Sequence, residues 1–148
     1  MDTASLYKLE MANLSDAAEI TRLLAENNLP EEGVIARLPL TLVTKQGDKI
    51  VGSAALEIYG RSALLRSVVT AEEARGRGIG QTLVKATLEL ARQNNVANLY
   101  LLTETAASFF TRLGFAPVSR AEVDPALQQS DEFSHACPVS AQAMLLQL

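Results

Sequence analysis

The segment Arg75-Gly76-Arg77-Gly78-Ile79-Gly80 is the densest group of chemically useful residues in the chain. Its three glycines let a backbone turn tightly and approach a ligand with no Cβ atom in the way. An apolar, β-branched run precedes it, and a helical pattern of apolar residues follows it. The loop N–H groups, with those left unbonded at a helix start, can cradle anionic oxygens, and the helix dipole adds favourable potential. Arg75 and Arg77 add positive charge. The chemistry is that of a phosphate or pyrophosphate site. No Lys-Ser/Thr follows the last glycine, so this is not a Walker loop. The glycines fall as G-x-G-x-G, midway along the chain, which also departs from the dinucleotide fingerprint. The competing interpretation is a glycine-rich turn with solvated arginines.

Composition narrows what such a site can serve. The chain has 148 residues, 48% apolar and 20% charged, which suits one globular domain spanning 1–148. A formal charge of −4 argues against a nucleic-acid partner. No apolar run approaches the roughly 20 residues of a membrane helix, so no membrane partner is expected. The first ten residues lack a signal-peptide pattern. The one Cys and one His exclude an intrachain disulfide and a four-ligand Cys/His zinc site. Cys137 reads as structural or as lining a pocket, and His135 as a solvated loop residue. A cytoplasmic location fits the lack of disulfides.

The elements that must position the loop follow from periodicity. Residues 6–11 alternate as a strand. Asn13 or Ser15 caps a helix carrying Ile20, Leu23 and Leu24, and Pro30 opens a second helix through Ile35 and Leu38. Leu40 to Lys45 and Ile50 to Tyr59 read as hairpin strands about the turn Gln46-Gly47-Asp48. Ala63 to Val69 is a buried central strand. The loop opens a helix with Ile79, Leu83, Val84, Leu88, Leu90 and Ala91 on one stripe. Val96 and Leu99 to Leu102 form a second buried strand. Thr103 or Glu104 begins a helix carrying Phe109, Phe110 and Leu113, which ends at Gly114. Strands from Phe115 to Val118 and from Ala141 to Leu148 close an α/β chain of order β-α-α-β-β-β-α-β-α-β-(β).

Arg75-x-x-Gly78-x-Gly80 resembles the (Gln/Arg)-x-x-Gly-x-(Gly/Ala) motif of the GCN5-related N-acetyltransferase (GNAT) superfamily. The flanking strand and helix, the element order and the later Phe110-Thr111-Arg112-Leu113-Gly114-Phe115 extend the resemblance over nearly the whole chain. Leu101-Leu102-Thr103-Glu104-Thr105-Ala106 resembles the amino-acid acetyltransferase branch. Tyr59-Gly60, Ala63 to Ser67, Glu132-Phe133 and Cys137-Pro138-x-Ser140-Ala141 resemble N-acetyltransferases encoded with arsenic-resistance operons. The fold implied is a mixed central sheet of about six or seven strands flanked by about four helices.

The resemblance implies acetyl-CoA as cosubstrate, no metal, and a small-molecule amine as acceptor. It also admits a detoxification role and a homodimer. Arg75, Gly76, Arg77, Gly78, Ile79, Gly80 and Gln81 would hold the pyrophosphate. Val68 and Val69 would meet pantetheine. An N–H near Val69 would polarise the thioester carbonyl, a donor of a kind worth about 2.7–4 kcal/mol. Phe110 would also lie against the cofactor, and it stands where many members carry the tyrosine that protonates the departing thiolate. That leaves solvent, Ser108, Thr105, Tyr100 or Tyr59 for the task, or a domain that binds CoA without fast chemistry. The attacking amine must be neutral. Glu57, Glu104 and Glu132 are candidate bases, each alternatively a surface carboxylate. Arg66, charged within an apolar strand, needs a partner. It captures an acceptor carboxylate, with Thr103 alongside, forms an ion pair, for which Glu57 is one candidate, or faces solvent. A protein N-terminus or lysine is the alternative acceptor.

Overall fold

The computed structural model describes residues 6–130, 133 and 140–148. Glu132, His135, Cys137 and Pro138 lie outside the described residues. The elements are β1 (Tyr7–Met11), α1 (Ala17–Glu26), α2 (Val34–Arg37), β2 (Thr41–Gln46), β3 (Lys49–Tyr59), β4 (Ser62–Thr70), α3 (Ile79–Gln93), β5 (Asn98–Thr103), α4 (Ala107–Arg112), β6 (Ala116–Val118) and β7 (Gln142–Gln147). The strands form a seven-stranded mixed sheet of order β1-β2-β3-β4-β5-β7-β6. The pairings β1–β2, β2–β3, β5–β7 and β6–β7 are antiparallel. β4 and β5 are parallel, paired from Ser62↔Asn98 to Leu64↔Tyr100. Leu65 and Arg66 on one strand and Leu101 to Thr103 on the other lie outside that ladder.

Several boundaries differ from the sequence expectation: neither Asn13 nor Ser15 caps α1, whose N-cap is Asp16 with no side-chain capping bond, and Val96 lies before β5. Pro30 does not open the second helix; Gly33, at φ 78°, caps α2 three residues later. That left-handed turn breaks the helix path, and the Arg37 guanidinium donates to the Glu32 carbonyl across it at 2.7 Å. Neither Thr103 nor Glu104 begins α4, which starts at Ala107. The Thr103 hydroxyl instead accepts the Ala106 N–H at 3.0 Å and closes the turn before the helix.

The chain divides into two compact units, residues 1–56 with 67–90 and residues 57–66 with 91–148. In the first, the buried side chains include Ile20, Leu23 and Leu24 of α1, Val43 of β2, Ile50, Val51 and Ala54 of β3, and Leu83 and Val84 of α3. Asn13 caps the 3-10 turn before α1, accepting from Ser15 N at 3.0 Å while its own N–H donates to Asp16 Oδ2 at 2.9 Å. Gly52 sits where β3 meets its neighbours. A Cβ there would lie 2.8 Å from Leu83 Cδ1, 3.1 Å from Ile79 Cγ2 and 3.2 Å from the Val69 carbonyl oxygen. Gly52→Ala is therefore expected to cost about 1–3 kcal/mol by overpacking, read as a lowered midpoint in thermal unfolding. In the second unit, Leu64, Tyr100, Val123, Leu127, Phe133 and Ala143 form a buried apolar cluster.

Lys45 ties the first unit together. Its ammonium lies 2.9 Å from Glu10 and 3.0 Å from buried Asp16. Burial opposes ionisation of Asp16, but the Asn13 N–H and the Lys45 ammonium outweigh it and hold the carboxyl below the usual carboxylate range. A depressed folded-state pKa gives stability that is present above the unfolded value and lost as pH falls through the folded one. The structure therefore predicts that acid unfolding below about pH 4 is shallower in Asp16→Ala than in the wild type. Denaturant melts across that range measure the difference in slope.

Candidate active site

Within the first unit, β4 runs through Thr70 and a 3-10 turn at Glu72–Ala74 into the glycine loop. Gly76 and Gly78 adopt φ of 81° and 78°, a left-handed conformation that side-chain-bearing residues take at a cost. No heavy atom lies within 4 Å of the position a Cβ would occupy at either, so the loop is open there. Ile79 is buried and anchors the helix start, whereas Gln81 is exposed and Gly80 half-buried. The first intrahelical bond of α3 runs from Thr82 N to the Gly78 carbonyl at 3.0 Å. The N–H groups of Ile79, Gly80 and Gln81 precede it and are the orphan donors of a helix start.

The two arginines are exposed but held. Arg75 donates through Nε to the Thr70 carbonyl at 3.1 Å and through Nη2 to Asn27 Oδ1 at 2.5 Å. Arg77 donates to the Tyr7 hydroxyl at 2.6 Å. Their hydrogen bonds go to uncharged acceptors, so both charges remain available to an anion. The donor set and the open left-handed turns fit the pyrophosphate of CoA.

Just before the loop, Val69 is buried and Val68 half-buried. Ser67, in the same strand, has φ 58°. The strand therefore departs from the regular one its apolar pattern predicts, since serine carries no sequence signal for a left-handed backbone. A glycine inside an apolar strand, as at position 52, is a sequence signal of close backbone approach.

Within the second unit, the structure brings Arg66, Glu57 and Tyr59 together. Arg66 is buried, with its side chain 2% exposed, and its Nη1 donates to Glu57 Oε1. The Tyr59 hydroxyl donates to Glu57 Oε2 at 2.9 Å. Arg66 Nε is buried with no partner among the described residues. Glu57 is thus not a free surface carboxylate, and the partner that Arg66 requires is in place. Glu104 and Thr105 are exposed, and Glu104 makes no ion pair among the described residues. Thr103, half-buried, is engaged in the turn before α4. Phe110 is 6% exposed and packs edge-on against Phe109 and Phe115, with centroids 5.1 and 5.7 Å away. The Phe110 ring is a core element of this unit.

Residues 39–117 match the acetyltransferase (GNAT) domain family. An uncharacterised N-acetyltransferase of Chlorobaculum tepidum is 27% identical over 118 residues, covering 74% of this chain and 75% of that protein. Among solved structures, a Mycobacterium tuberculosis protein in complex with CoA and a second ligand superposes with a TM-score of 0.82 at 24% identity, over 95% of this chain and 99% of that one. The N-acetylglutamate synthase of Neisseria gonorrhoeae, complexed with CoA and N-acetyl-glutamate, gives 0.83 at 16% identity, over 96% of this chain and 35% of that one. These two likenesses establish the fold. The family match runs from just before β2 into β6 and contains the glycine loop, and with the Chlorobaculum relative it makes the chain a member of the GNAT family and an acetyltransferase.

Proposed function

We propose that the protein transfers the acetyl group of acetyl-CoA directly to the amine of a small, amino-acid-like acceptor. The observation that carries this reading is the Arg66–Glu57–Tyr59 cluster. An ion pair inside an apolar strand is a poor device for stability, since desolvation consumes most of its Coulombic gain. Its two charges complement those of a zwitterion. Arg66 has an unspent Nε donor for an acceptor carboxylate. Glu57 is an acceptor for the ammonium and then for its proton.

The remaining roles fall to backbone groups. Bound acetyl-CoA supplies the thioester carbon that the amine attacks. Gly76, Gly78 and the N–H groups opening α3 hold the pyrophosphate, with Arg75 and Arg77 adding charge. The Val69 N–H receives the charge that develops on the thioester oxygen. Phe110 donates no proton, so the departing thiolate is protonated by water or by a hydroxyl such as Tyr59. The narrower sequence resemblance adds a biological role, the detoxification of a toxic amino-acid analogue in the cytoplasm. A likeness in fold to an enzyme named N-acetylglutamate synthase is in keeping with an amino-acid acceptor.

Comparing free amino acids with their carboxamides tests the acceptor class. Thiol release should be at least about ten-fold faster per molar acceptor for the carboxylates, since one charge-assisted pair is worth about 1.5–3 kcal/mol. Equal rates would remove Arg66 from the acceptor site and favour a peptide or lysine acceptor.

A further inference from the structure

Ser67 is the one serine among the described residues with a left-handed backbone, and it lies inside a β-strand. A side chain at φ 58° is strained, and such a residue persists only where its surroundings over-determine it. Three consecutive residues of β3 supply that constraint. The Ser53 hydroxyl, in a residue 0% exposed, donates to the Ser67 carbonyl at 2.7 Å. Gly52 presents no Cβ, which would otherwise stand 3.2 Å from the Val69 carbonyl. The Val51 carbonyl accepts the Ala71 N–H at 2.7 Å. Positions 67 and 71 are thereby bonded to 53 and 51, and Gly52 leaves room for position 69 between them. The Ser67 hydroxyl itself is buried with no partner among the described residues, so the strain is not explained by a bond that Ser67's own side chain makes.

A reversal of φ at one residue turns the peptide groups that follow it, which is how strand irregularities re-aim groups beside active sites. The peptide groups that follow here are those of Val68 and Val69. We infer that Ser53 is a positioning residue for acetyl transfer: its hydroxyl holds the Ser67 carbonyl and so maintains the left-handed step that aims the Val68 and Val69 backbone. This inference rests on the proposed role of Val69. A hydrogen bond and a left-handed serine are of similar magnitude in free energy, so losing the bond shifts the population of the aimed conformation.

Steady-state kinetics of the full-length Ser53→Ala protein provide the test. The expected result is a fall in kcat of about ten- to a hundred-fold, the scale of a small misplacement. CoA affinity by titration calorimetry should stay within about two-fold, because the loop that holds the pyrophosphate is untouched. Glycine pays no cost at positive φ, so in a Ser67→Gly background the same Ser53→Ala change should lower kcat less than it does in the wild type. A purely structural Ser53 would lower the melting temperature and leave kcat intact, and that outcome overturns the inference. So does a fall in CoA affinity parallel to kcat, or independence of the two substitutions. If Ser53→Ala does not fold, Ser53→Cys keeps the shape, weakens the donor and is read in the same way. A wild-type protein inactive on every amine counts against the proposed function itself, and is seen before any variant is made.

Discussion

Glu57→Gln is expected to lower kcat by about 10²–10⁴-fold, the usual contribution of a positioned general base. The substitution keeps the size of the side chain and an oxygen that can accept from the Tyr59 hydroxyl, now 2.9 Å away. It removes the proton acceptor and the charge that pairs with Arg66. The glycine loop is not altered, so the protein should still be stabilised by CoA in a thermal melt. Breaking the pair destabilises in either role, so the separation comes from kcat of the folded variant at saturating acceptor: a lost base lowers it, whereas a lost strut lowers only the melting temperature.

Arg66→Ala has the second largest expected effect, and it has two components. Removing one partner of a buried pair leaves the other uncompensated, a loss of about 3–5 kcal/mol for full burial. The Glu57 side chain is 22% exposed, so the low end of that range applies. The acceptor KM should also rise far more than the acetyl-CoA KM, because of the two substrates only the acceptor is held by Arg66. The double substitution Arg66→Met with Glu57→Leu separates the components. Apolar replacement of a whole buried pair is often neutral or stabilising, so the double variant should melt near or above the wild type while remaining inactive. A double variant that acetylates amino acids at the wild-type rate would make the cluster a structural ion pair and nothing more.

The features legible in the sequence were those set by local pattern. Alternation placed β1, the 3.6-residue stripe through Ile79, Leu83 and Val84 placed α3, and the glycine spacing marked the loop whose Gly76 and Gly78 take positive φ. What stayed illegible depends on tertiary partners. The need of Arg66 for a partner was visible as a charge in an apolar run, and Glu57 stood among the candidates. Glu57 and Tyr59 share a face of β3 by their i, i+2 spacing, and the two-residue turn before Ser62 sets the register that brings Arg66 to the same face, so the cluster was open to a spacing argument. The Ser67 conformation is set by Ser53, fourteen positions away. The late start of α4 has a local cause. The Thr103 hydroxyl accepts a backbone N–H, an alternative to helix that threonine offers at many turns. Gly33 likewise overrode Pro30, since a left-handed cap ends one path and begins another.

In the proposed reaction, acetyl-CoA bound by this chain gives its acetyl group to a free amino-acid amine. Release of the CoA thiol, followed continuously with purified full-length protein and acetyl-CoA, tests it most directly when free α-amino acids are compared with their N-blocked forms. The expected result is acceptor-dependent thiol release with at least one free amino acid, accompanied by the matching N-acetyl product in the mass spectrum, and only background release with the blocked form. Stabilisation of the protein by acetyl-CoA with no thiol release above hydrolysis for any free amine would contradict it.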